Sequence, residues 1–163
     1  METVQKVPSL EKKVLAAALA FCAVQLGLIA YAAIRLGVTV PDCVTGVKPY
    51  DAAQFIKVAP DRYEVHVLAR MWMFQPNVIR VPAGSTVDFY LTSADVSHGF
   101  YVQGTNVNLM ALPLEVNYAR AHFKTPGRYP IVCNEFCGAA HHLMNAVVEV
   151  TEPGRDGSAE GLE

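Results

Sequence analysis

The sequence predicts a mainly β protein carried on one amino-terminal transmembrane helix, and three observations lead there. A run of 21 residues from Val14 to Ile34 holds no charged side chain. From Arg62 onward, short segments alternate apolar and polar residues. Turn pairs such as Ala83-Gly84 and Pro126-Gly127 punctuate those segments, with no convincing helical pattern between them. Short strands at such spacing fold as a two-sheet sandwich or barrel, here expected to be antiparallel.

The apolar run comes first. Gln25 is its single strongly polar residue, and its length matches a hydrocarbon core of about 30 Å at 1.5 Å per helical residue. A cleaved signal peptide would have a shorter apolar region, although Ala30-Tyr31-Ala32 weakly fits a cleavage site. A lipoprotein site would need a small residue where Phe21 precedes Cys22. A buried soluble helix would not be apolar on every face. Lys6, Lys12 and Lys13 precede the run and Arg35 follows it, which places the amino terminus in the cytoplasm. The expectation is a single-pass protein of the plasma (inner) membrane. Residues 1–36 are its amino-terminal segment and anchor, and the remainder lies on the periplasmic or extracytoplasmic face.

With 163 residues the chain has room for one compact domain beyond the anchor. After Arg35, nine Lys and Arg face thirteen Asp and Glu, a balance of −4. That argues against nucleic acid as a partner. It suits a basic protein partner, and equally a surface kept soluble by charge. Residues 37–61, with Pro41, Pro49 and Pro60, read as an extended linker. Cys43 lies in it without a partner pattern. Residues 62–152 read as the β domain, with strands at 63–69, 78–82, 87–91, 116–123, 129–132 and 146–150. Residues 153–163, rich in Gly and acid, read as a disordered tail.

One segment carries chemistry. Cys133-Asn134-Glu135-Phe136-Cys137-Gly138-Ala139-Ala140-His141-His142-Leu143-Met144 offers two thiols, two imidazoles and a thioether between two strands. Soft sulfur with imidazole selects copper or zinc over a hard cation, and a weakly bound methionine belongs to copper electron-transfer sites. His98, just beyond the 87–91 strand, is the candidate second histidine. A mononuclear site would leave one cysteine spare. Two bridging thiolates can hold two copper ions, each with one histidine, with Met144 on one and a backbone carbonyl, that of Glu135, on the other. The alternative is a Cys133–Cys137 disulfide with His141 and Met144 as ordinary loop residues.

The spacing Cys-x3-Cys-x3-His-x2-Met, with an upstream Asp-x-x-His, resembles the binuclear copper (CuA) domain of cytochrome c oxidase subunit II. The resemblance covers about Asp61 to Thr151. It implies a cupredoxin-like Greek-key β-sandwich and copper ligands His98, Cys133, the Glu135 carbonyl, Cys137, His141 and Met144. The single helix, with Phe74-Gln75-Pro76-Asn77 and Gly104-Thr105-Asn106-Val107-Asn108, is similar to the b-type oxidase branch. The implied function is that of a non-catalytic electron-entry subunit in a proton-translocating haem–copper oxidase. It would take electrons from cytochrome c and pass them to subunit I. Two alternatives share the domain: a CuA subunit of a nitric oxide reductase, and a membrane-tethered copper electron-transfer protein. Glu135 stands where mitochondrial-type oxidases place a Glu against a magnesium ion at the subunit I interface, whereas the b-type branch often has Gln. His142 beside His141 leaves the choice of ligand to spacing. Trp72, the single tryptophan, is either the point of electron entry or a packed aromatic residue.

Overall fold

The apolar run forms one helix. A computed structural model describes residues 9–36, 42–44 and 46–162, and in it α1 spans Ser9–Arg35, 27 residues. At 1.5 Å per residue it is about 40 Å long. None of its residues is buried, so its apolar side chains are exposed on all sides. It is long and apolar enough to cross a membrane. Glu11 in the first turn and Arg35 in the last complement the helix dipole.

The other described residues form strands and loops, apart from one short 3-10 turn. The strands are β1 (Asp42–Cys43), β2 (Gln54–Ala59), β3 (Arg62–Arg70), β4 (Met73–Gln75), β5 (Val78–Pro82) and β6 (Ser85–Ser93). They continue with β7 (His98–Val102), β8 (Asn108–Ala111), β9 (Asn117–Phe123), β10 (Gly127–Val132), β11 (Asn145–Thr151) and β12 (Ser158–Glu160). One sheet runs β1-β9-β6-β3-β2, with β4 also paired to β3; the other runs β12-β5-β11-β10-β7-β8. Alternation decides which side chains meet between them. Tyr63, Val65 and Val67 of β3 and Val87, Phe89 and Leu91 of β6 are wholly buried. So are Ile79, Phe100, Ile131 and Val148 from the other sheet. Phe100 meets Phe74 edge-on at 5.2 Å and Phe89 at 5.7 Å. Each such ring stabilises the fold by about 1.5–3 kcal/mol through burial.

Three expectations change. The sandwich is mixed rather than antiparallel: β3 runs parallel to β6, and β5 parallel to β11. Between β3 and β6 the chain visits the opposite sheet as β5, and a strand reached by crossing over can return in the original direction. The second half of the stretch read as linker is β2, drawn onto β3 by the stacking of Phe55 on Tyr63 at 5.4 Å. In the first half, Asp42–Cys43 forms β1, antiparallel to β9, while residues 37–41 and 45 lie outside the described residues. The segment expected to be disordered carries β12, antiparallel to β5. Backbone pairing and ion pairs hold it rather than apolar burial, and composition does not reveal those.

On the outer side of the first sheet, Asp88 is 2% exposed. It accepts from Arg62 Nε at 2.8 Å, Arg120 Nε at 2.6 Å and the Tyr118 hydroxyl at 2.7 Å. Burial alone would raise its carboxyl, but these donors outweigh it and hold the group below the ordinary carboxylate range.

Candidate metal centre

The site is built where β7 begins and where β10 hands over to β11. His98 is the first residue of β7 and fully buried. Its Nε2 lies 2.7 Å from Asp95 Oδ1. An ionised carboxylate can only accept, so Nε2 carries the proton and Nδ1 the lone pair. That Nδ1 is buried without a hydrogen-bond partner. An orphaned buried acceptor costs about 1–3 kcal/mol, a cost that a metal ion would remove. Asp95 is itself fixed, accepting from the Met71 amide at 2.7 Å and the Val96 amide at 2.6 Å. Burial opposes its ionisation, yet His98 and these amides hold its carboxyl below the ordinary range.

The second half of the site is the loop between β10 and β11. Its base is tied by the Cys133 amide donating to the Met144 carbonyl at 3.2 Å. Its far end is one 3-10 turn, His141–Leu143, whose geometry sends His141 inward while His142 stays exposed. Cys133 and Cys137 are buried free thiols with sulfurs 3.7 Å apart. Their Sγ atoms and a ring nitrogen of His98 all lie within 4.8 Å of one another. His141 Nδ1 approaches Cys137 Sγ at 3.5 Å, Met144 Sδ the same sulfur at 3.8 Å, and the Glu135 carbonyl oxygen Cys133 Sγ at 3.2 Å. All six sequence-derived ligand groups thus converge. Burial, and then the neighbouring Cys133 thiol, push the Cys137 thiol up to about 11. A thiolate pair here requires a cation to compensate it.

Two glycines that sequence reasoning passed over make the approach geometrically feasible. A Cβ on Gly99 would lie 1.9 Å from Asn134 Oδ1 and 2.8 Å from the Glu135 amide, so the ligand loop could not lie against β7. Gly138, at φ +117°, lies under the Trp72 ring, its Cβ position 3.3 Å from Nε1. Trp72 donates from Nε1 to the Cys137 carbonyl at 3.1 Å and remains 39% exposed. Met71, Met73 and Phe136 are exposed as well. Asp95 was signalled by the Asp-x-x-His spacing, whereas no local pattern marks Gly99, whose neighbours are Asn134 and Glu135.

Buried thiols and imidazoles with one uncommitted ring nitrogen suit a soft or borderline metal. The family model described as cytochrome c oxidase subunit II, periplasmic domain, matches residues 50–151. The chain belongs to the cytochrome c oxidase subunit II family. A cytochrome c oxidase subunit 2 of Thermus thermophilus is 47% identical over 103 residues, 63% of this chain and 76% of that one. A second subunit 2 from the same species is also 47% identical over 103 residues, 61% of its length. A chain from a haem–copper terminal oxidase dimer superposes with a TM-score of 0.77 at 45% identity, covering 86% of this chain and 99% of that chain. The periplasmic domain of subunit II of a Bradyrhizobium japonicum cytochrome oxidase has the same fold, at a TM-score of 0.52 and 22% identity over 55% of this chain and 84% of that one. As a subunit II family member, the chain is a subunit of a haem–copper terminal oxidase. It joins a copper-binding, cupredoxin-like domain to an apolar amino-terminal helix.

Proposed function

We propose that this chain is the electron-entry subunit of its oxidase, taking electrons from cytochrome c at a binuclear CuA centre and delivering them toward subunit I for oxygen reduction. The observation that carries the reading is the orphaned Nδ1 of His98 beside two free buried thiols. His98, Cys133, the Glu135 carbonyl, Cys137, His141 and Met144 would hold the metals. Copper held by these residues would supply one-electron transfer chemistry.

The protein's own part is positioning. Asp95 fixes the tautomer and plane of His98, as a carboxylate behind a ligating imidazole does. The loop base and the 3-10 turn set Met144 and His141 without help from the metal. Burial of both sulfurs keeps water from them. Trp72 gives a short route inward from the surface: an exposed ring, one hydrogen bond, then the backbone of a ligand. The exposed carboxylate of Glu135 suits a magnesium ion at the subunit I face. Among the described residues no cluster of three acidic, His or Cys groups includes it, so such an ion needs ligands from subunit I. In this reading residues 1–36 anchor the chain in the plasma membrane lipid with the amino terminus in the cytoplasm, and the copper domain lies on the periplasmic face.

Metal analysis of the purified full chain in detergent tests the reading. Two copper ions per chain, with an oxidised spectrum showing one unpaired electron shared over both, is the expected result. One copper, or zinc, would overturn it.

A further inference from the structure

The family match ends at Thr151, yet the chain beyond it remains built into the sandwich. Asp156 accepts from Lys57 Nζ of β2 at 2.6 Å. Glu160 pairs with Arg80 of β5, which also holds Glu149 at 2.9 Å. Between these two anchors Gly157 passes through a crease. A Cβ there would lie 2.5 Å from the Tyr63 ring, 2.9 Å from the Phe55 ring and 2.9 Å from the Arg80 carbonyl. From Ser158 to Glu160 the segment adds a strand to β5, and the Asn77 amide donates to the Glu160 carbonyl at 3.0 Å. It therefore touches both sheets, with Phe55, Lys57 and Tyr63 from one and Asn77 and Arg80 from the other.

We propose that the outer edge of β5, with the crease beside Phe55 and Tyr63, is a peptide-binding groove whose occupant is this chain's own segment 154–162. The groove selects by simple chemistry. Exposed ladder groups of β5 take an extended backbone, as in strand addition. The crease admits glycine alone at position 157, and Lys57 and Arg80 select acids at 156 and 160. Occupied, it closes an edge that would otherwise be open to pairing with other chains. It also latches the two sheets together at a distance from the metal ligands.

Amide hydrogen exchange on the copper-loaded full chain in detergent tests this, set against the same chain ended after Pro153. The Val78 and Arg80 amides, which face β12 while that of Ile79 faces β11, should exchange at least tenfold faster in the shortened chain, with copper content unchanged. A synthetic peptide of residues 154–162 should restore their protection where a scrambled peptide does not. Gly157→Val in the full chain should reproduce the loss, which keeps the test informative if the shortened chain fails to fold. Equal protection of β5 in the full chain, the shortened chain and Gly157→Val would overturn the proposal, as would lost protection that the peptide cannot restore.

Discussion

Asp88 and His98 are both almost wholly buried polar side chains on strands successive in the chain but in opposite sheets, and they are treated in opposite ways. Asp88 is saturated, with two guanidinium groups and a hydroxyl spread over its two oxygens. His98 has one nitrogen tied to Asp95 and the other left without a partner beside two thiols. A polar cluster that serves stability completes its own hydrogen bonding. One that serves a ligand leaves a lone pair aimed at a place where no protein atom donates. Burial alone would have ranked the two together.

Breaking the unsaturated cluster should have the largest effect. Cys133→Ser or Cys137→Ser in the full chain should abolish the shared-electron spectrum, because one thiolate cannot bridge two metals as two do. A normal copper spectrum in either variant would remove the cysteines from the ligand set. Breaking the saturated cluster should leave that spectrum intact and lower stability instead. Asp88→Asn keeps the shape but loses the charge facing Arg62 and Arg120, at a cost of about 2 kcal/mol given that both arginines are half exposed. Denaturant unfolding at neutral pH would measure it.

The same pair separates by pH. The folded-state carboxyl of Asp88 lies below its ordinary value of 3.8, so its contribution is fully present above that value. It fades as pH falls through the lower folded value. Asp88→Asn should therefore lose less stability than the parent on going from pH 5 to pH 2; an identical acid limb would mean the ion pairs are inert.

Smaller effects sharpen the comparison within the site. Met144→Leu should retain copper and shift the reduction potential, since a thioether near a copper centre bonds weakly and tunes it. Complete copper loss would make Met144 a structural ligand. Trp72→Ala should leave the spectrum unchanged and slow electron transfer from cytochrome c. Stopped-flow kinetics with unchanged rates would return Trp72 to the role of a packed aromatic residue. The modest acidic balance and nearby Arg70 predict weak salt dependence of that docking.

Much of this was legible in the chain because period and spacing are local. Alternation at Tyr63, Val65 and Val67, and again at Val87, Phe89 and Leu91, marks faces that are buried as expected. The four-residue and three-residue steps through Cys133, Cys137, His141 and Met144 set a ligand loop that a single 3-10 turn can deliver. What stayed hidden depends on partners distant in sequence. β2 and β12 are strands because β3 and β5 offer edges to them, not because of their own composition. Gly99 matters only because Asn134 and Glu135 come to lie on it, a contact across 35 residues. The parallel pairs escaped for the same reason, since hydrophobic alternation carries no strand direction.

The parallel pairing of β5 with β11 bears on the timing of assembly. Val78 lies opposite Val147, 69 residues along the chain, and contacts this distant form slowly because a long loop must close first. The ligand loop instead closes the local β10–β11 hairpin, with Val132 opposite Asn145, so its base can form before that long-range closure. An emerging chain would present Cys133 and Cys137 as separate, reactive thiols until β11 pairs with β10. The rate of metal uptake during refolding should therefore track formation of the β10–β11 hairpin and its docking on β7, which carries His98, rather than the later pairing of β11 with β5.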